Sequence, residues 1–156
     1  MRRIFVRTLA ILVLIVVGPL GISGCDNGRP RVSIENARAE MSPAFYGEGI
    51  VYLKIVNLGG KDTLVGMKTT IPGATAGLHE MKGNFMVLVK SMKIPAKNTV
   101  DLMPMGSHIM IENMPRKTHE GYAFTLTLQF ARSGEIQIPL TFAKAQPMSP
   151  EHQHHE

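Results

Sequence analysis

The chain has 156 residues, with 17 basic and 12 acidic side chains, a formal net charge of +5, one cysteine, 11 methionines and no tryptophan. That length holds one domain with appendages, and a single cysteine rules out an internal disulfide framework.

Residues 1–25 read as an export signal. Arg2, Arg3 and Arg7 form a basic start, Thr8 to Val17 is almost wholly apolar, and Gly18-Pro19 breaks the run. The apolar run is too short to span a membrane but suits a signal core. Ile22-Ser23-Gly24-Cys25 follows. It resembles the lipobox of bacterial lipoproteins, which implies acylation of Cys25 and a lipid anchor on an extracytoplasmic membrane face. This segment carries three of the 17 basic residues and none of the 12 acidic ones, so the remainder is close to balance at +2. No lysine or arginine block survives, and no nucleic-acid surface is expected.

Residues 26–30 form a short polar tether, and the folded domain is expected over residues 31–143. Val32 to Arg38 predicts a first strand, with Val32 and Ile34 on one face. Val51, Leu53 and Ile55 alternate with Tyr52 and Lys54 and end at the turn Asn57-Leu58-Gly59-Gly60. Thr63–Met67, Ala74–Met81, Met86–Met92, Thr99–Met103 and His108–Met114 are further strand candidates. Tyr122, Phe124, Leu126, Leu128 and Phe130 alternate with small or polar residues, then comes Ser133-Gly134, then alternation at Ile136, Ile138, Leu140 and Phe142. Those two segments predict a closing hairpin. No window after the signal has helical spacing. Short strands separated by Gly/Pro turns predict an all-β sandwich of mostly antiparallel strands. Residues 144–156 lack periodicity and contain Pro147 and Pro150, as a disordered tail does.

The chemistry concentrates between His79 and Met110. His79-Glu80-Met81 and His108-Ile109-Met110 are two His-x-Met pairs, with Met86 between them. Residues i and i+2 of a strand share a face, so each pair can aim an imidazole and a thioether at one ion. That donor set suits soft copper(I). Blue-copper electron transfer would need a cysteine thiolate at the site, and Cys25 lies far from these residues in sequence. No activated nucleophile or acid–base pair is visible, so an enzyme is not expected. Taken singly, each methionine reads as a core filler, because methionine packs irregular gaps. Met67, Met92 and Met114 are expected in the core. Met103 and Met105 flank Pro104 and suit either a soft rim or loop packing, and His119 is expected in a turn.

Several segments together resemble the PCu(A)C-type periplasmic copper chaperones. They are Val51 to Asn57 with the following Gly59-Gly60, Asp62 to Gly66, Leu78-His79-Glu80-Met81, Ile94-Pro95-Ala96 leading to Thr99-Val100, His108-Ile109-Met110, and Leu126 to Phe130. The resemblance covers roughly residues 31–143. It implies a cupredoxin-like sandwich, a copper(I) site and delivery of copper to a recipient such as the copper-centre domain of a respiratory oxidase. The ligands it implies are His79, Met86, His108 and Met110, because twenty-one residues separate Met86 from His108, as in the family. Only six residues separate His79 from Met86, fewer than the family usually has. A tight hairpin turning at Lys82-Gly83-Asn84 would account for the shortening, and it leaves Met81 as the alternative to Met86. In the tail, His152, His154 and His155 are further candidate donors, suited to copper(II). Two other readings stay open. One is a copper-buffering or resistance lipoprotein, and the other is an immunoglobulin-like binding lipoprotein whose methionines only pack.

Overall fold

The computed structural model describes residues 28–83 and 85–144. Ten strands and no helix occur among them: β1 Val32–Met41, β2 Gly49–Asn57, β3 Asp62–Thr69, β4 Thr75–Lys82, β5 Phe85–Val89, β6 Met92–Ile94, β7 Asn98–Leu102, β8 His108–Glu112, β9 Ala123–Phe130 and β10 Gly134–Ala143. The protein is an all-β, cupredoxin-like sandwich of mostly antiparallel strands. One layer runs β5-β4-β8-β2-β1, and the other runs β10-β9-β3-β6. A short parallel ladder, Ala39 with Phe142 and Glu40 with Ala143, joins them. β7 also pairs with β2, so β7 and β8 lie end to end along that strand, with the 103–107 loop between them.

Alternation decides which side of each strand is buried. Val51, Leu53 and Ile55 of β2, Leu78 of β4 and Ile109 and Ile111 of β8 turn inward to meet Leu64, Leu126, Leu128, Phe130 and Phe142 from the other layer. Phe124 and Phe142 stack with ring centroids 4.6 Å apart. Met114 joins this core, and Met67 and Met92 pack against it.

Three segments differ from the pattern read in the sequence. β1 extends to Met41 through a bulge between Glu35 and Arg38, where Asn36 takes a φ of 51°. The bulge interrupts the period-two pattern, which is why the strand looked shorter. The expected Met86–Met92 strand is two strands: β5 pairs with β4, whereas β6 pairs with β3 in the other layer. Lys90 and Ser91 carry the crossing between layers. Finally, Lys82 pairs with Phe85 as a strand residue, so the β4–β5 turn is only two residues, with Gly83 at a φ of 61°. Such a turn needs the positive φ that glycine allows.

Two buried polar side chains fix the end of the sandwich where β2 finishes. Asn57 is fully buried. Its amide nitrogen donates to the carbonyls of Gly60 and Pro95, and its oxygen accepts from the Arg31 and Gly59 amides. The Asp62 carboxylate accepts from the amides of Thr63, Arg132 and Ser133 and from the Ser133 hydroxyl. Burial by itself would raise the Asp62 pKa, but these four hydrogen bonds outweigh it and hold the carboxyl below its ordinary value.

Candidate metal centre

In β8 the inward residues are Ile109 and Ile111, so His108, Met110 and Glu112 occupy the face turned away from the core. Register carries that face across the sheet. His79 of β4 pairs with His108, Gly77 pairs with Met110, and Thr75 pairs with Glu112. On β5, Leu88 opposes His79 and Met86 opposes Met81. On β2, Ile50 opposes Met110, and Tyr52 lies two residues further along. The two His-x-Met pairs therefore share one face of one sheet. The cluster lies on that outer face rather than at the open end of the sandwich, because parity sends Leu78 and Ile109 into the core.

Although they face away from the core, His79, His108 and Met110 are only 8%, 5% and 4% exposed. The two imidazoles stack at 22°, with centroids 6.2 Å apart, and the Tyr52 ring tilts against His108 at 6.3 Å. Arg38 lies over the Tyr52 ring, 4.6 Å from its centroid. Burial, then the nearby Glu40 charge, raises the Tyr52 phenol against the opposing pull of Arg38, so Tyr52 stays protonated at neutral pH.

The histidines differ in how they are held. His108 Nδ1 donates to the Gly106 carbonyl at 3.0 Å. That bond fixes the ring and leaves Nε2 with a free lone pair, as a ligating histidine requires. His79 Nε2 is buried with no hydrogen-bond partner. Its nearest charged neighbour is Glu112, whose Oε1 lies 3.8 Å away, beyond hydrogen-bonding distance. Burial lowers the His79 pKa, with His108 adding to the effect and Glu112 and Glu48 opposing it. The ring is therefore neutral at pH 7, the form a metal accepts. A buried, unpartnered nitrogen is costly in an apoprotein and becomes satisfied when a metal takes its lone pair.

Gly77 makes room for that nitrogen. A Cβ at position 77 would stand 3.3 Å from His79 Nε2 and 2.9 Å from Leu88 Cδ1. His79 thus leans over Gly77, toward the row holding Met110. Met81 and Met86, paired side by side, lie on the other side of His79. Met81 is half-buried, and Met86 is 45% exposed. Among the described residues no three His, Cys, Asp or Glu side chains converge as a metal cluster. The donors available beside the two imidazoles are thioethers, which suits a soft ion.

Some residues of this face were not singled out in the sequence. Gly77, Leu88 and Glu112 follow from parity along β4, β5 and β8 once the register is known. Tyr52 is placed by the pairing of β2 with β8, which no local pattern reports. Met103 and Met105 are exposed at 49% and 73%, in the loop that presents the Gly106 carbonyl, so they pack no core. His119 is exposed in a turn, with its ring edge-on to Tyr122. Cys25, His152, His154 and His155 lie outside the described residues.

A two-layer β-sandwich with an imidazole pair and thioethers on one outer face defines a class of small proteins, and comparison narrows it. Residues 32–142 match the LpqE-like family model, described as "Putative lipoprotein LpqE-like". The chain belongs to the LpqE-like family. Among solved structures it resembles the copper-bound PCuAC domain from PmoF2, at 21% identity and a TM-score of 0.61, over 73% of this chain and 93% of that one. The apo PCuAC domain from PmoF1 matches at 22% identity and a TM-score of 0.60, over 73% and 94%. The solution structure of CuI-DR1885 from Deinococcus radiodurans matches at 22% identity and a TM-score of 0.58, over 71% and 76%. At these identities the likeness establishes the fold. No curated protein sequence matches the chain.

Proposed function

We propose that this protein is an extracytoplasmic copper(I) chaperone, tethered to a membrane by a lipid on Cys25 and passing its ion to copper centres of respiratory oxidases. The observation that carries this reading is the registered His79–His108 pair beside Met110, with His79 Nε2 buried and unpartnered above the space at Gly77. Structural neighbours point the same way: one is a copper-bound PCuAC domain, and another is named as a copper(I) form. His79, His108 and Met110 would hold the ion, with Met86 as the fourth donor and Met81 as the alternative. The copper is cargo, so the site must release it. Neutral imidazoles and thioethers give up copper(I) more readily than thiolates, and Met86, the most exposed donor, can exchange first with an incoming ligand. The tail histidines 152, 154 and 155 would add copper(II) capture.

The test is titration of the reduced protein with copper(I) against a chelator, followed by mixing the loaded protein with an oxidase copper-centre domain. One tightly held ion that moves to the recipient supports chaperoning. One ion that stays bound favours buffering, and no binding supports a packing role for the methionines.

A further inference from the structure

The end of the sandwich where β2 finishes is strongly basic, and it is where the chain enters the fold. Gly28 and Arg29 are held there: Arg29 O accepts from the Gly60 amide, and the Arg132 guanidinium donates to the carbonyls of both Gly28 and Lys61. Lys61, Lys93 and Arg132 line a groove of about 530 Å³ floored by Ile94, Pro95 and Ala96. Lys97 adjoins it, its amide bonded to the Gly59 carbonyl, and Arg29 and Arg31 flank it, both exposed. Among the described residues no ion pair neutralises Lys61, Lys93 or Lys97. Two carboxylates at this end are already engaged: Asp62 is buried in its hydrogen bonds, and Glu135 is tied to Lys68 and Gln129. Acidic side chains gather instead near the metal face, where Glu48 and Glu112 act on His79 and Glu40 acts on Tyr52.

We propose that this basic end is a docking surface for anionic lipid headgroups, which holds the domain on the membrane by one end of its strands and leaves the His/Met face at its side, clear of the headgroups. The proposal rests on the lipid-anchor reading of Cys25. Two residues separate Cys25 from Gly28, so an anchor there is at most ~11 Å from Gly28, whose carbonyl Arg132 holds. A tether that short leaves the cluster no place but the headgroup layer. His79 and His108 sit one pair past Val51–Ile109, level with Tyr52, so they stand five residues of β2, about 17 Å, from Asn57. Phosphate groups meet unpaired amines at one end of the domain, and a recipient meets His79 and His108 on the outer sheet face. Each lysine near an anionic surface strengthens partitioning by about five-fold.

The test uses the full chain, whose mass after purification reports acylation. It is floated with phosphatidylcholine vesicles, with or without phosphatidylglycerol, and hydrogen exchange is read on the bound protein. An acylated chain should float with both. Phosphatidylglycerol should then slow exchange in residues 58–63 and 93–97 and leave residues 77–82 and 108–112 unchanged. The variant Lys61→Gln/Lys93→Gln/Lys97→Gln should still float but lose that protection. If the chain carries no acyl group, the tethering reading fails. The surface proposal then still requires flotation only with phosphatidylglycerol, weakened on the order of 100-fold in the triple variant. Protection that is the same without phosphatidylglycerol, or that survives in the triple variant, would overturn it, as would an unacylated chain indifferent to phosphatidylglycerol. Those results would leave the cluster to a soluble acidic partner.

Discussion

Replacing Gly77 with Ala should separate metal affinity from stability. The new Cβ would lie 2.9 Å from Leu88 Cδ1 and 3.3 Å from His79 Nε2. Leu88 is 64% exposed, so its methyl can swing aside at little cost. His79 cannot: it is enclosed, stacked on His108, and its reactive nitrogen is the atom crowded. Pushing the ring off its rotamer costs about 0.5–1.5 kcal/mol, and restoring it on metal binding returns the clash, so copper(I) affinity should fall roughly 2- to 12-fold. The fold should hold. Gly77 needs no positive φ, and alanine in a strand interior is favoured over glycine by about 0.5–1 kcal/mol, which offsets the contact. The assays are a chelator competition for copper(I) and a thermal melt on the same sample. Unchanged affinity would show that His79 Nε2 does not face the ion, and a collapsed melting temperature would show that Gly77 serves packing instead.

Three further outcomes follow from the same geometry. Met86→Leu roughly conserves volume and should weaken copper(I) binding more than Met81→Leu, with both folds intact; the reverse order in a competition titration would assign the ligand role to Met81. Asp62→Ala removes the acceptor from the Arg132 and Ser133 amides and should cost about 2–3 kcal/mol in denaturant unfolding. Because the folded Asp62 pKa is lowered, its contribution in the wild type is present above the ordinary value of 3.8 and is lost as pH falls through the folded pKa; a flat stability profile over that window would refute the assignment. His79 should titrate below the ordinary histidine value of 6.5 in the copper-free protein, read by NMR. Its lowered pKa implies that stability declines as pH falls from 6.5 through the folded pKa, and His79→Gln should remove that decline.

Much of the fold was legible because one face of most strands is buried. The β9–β10 hairpin is plain in the alternation from Tyr122 to Phe142, and it pairs in register from Phe130 with Gly134 to Ala123 with Thr141. The shortened His79–Met86 spacing predicted a tight hairpin, and β4 and β5 form one. What was hidden involved either a local break or a distant partner. The bulge at Asn36 resets the parity of β1. Lys90 and Ser91 give no turn signal, yet the chain changes layers there. The donor residues could be named from the sequence, but their arrangement could not. That His79 opposes His108, that Met81 and Met86 lie side by side, and that Gly77 opens the space above Met110 all depend on cross-strand register. Register is set by the whole sheet rather than by any one strand.

The measurement that bears most directly on the central claim is X-ray absorption at the copper edge, on reduced protein loaded with one equivalent. A single copper(I) ion with both nitrogen and sulfur neighbours is expected, with weaker sulfur scattering in Met110→Leu. A shell of nitrogen and oxygen alone, or one unchanged by Met110→Leu, would contradict it.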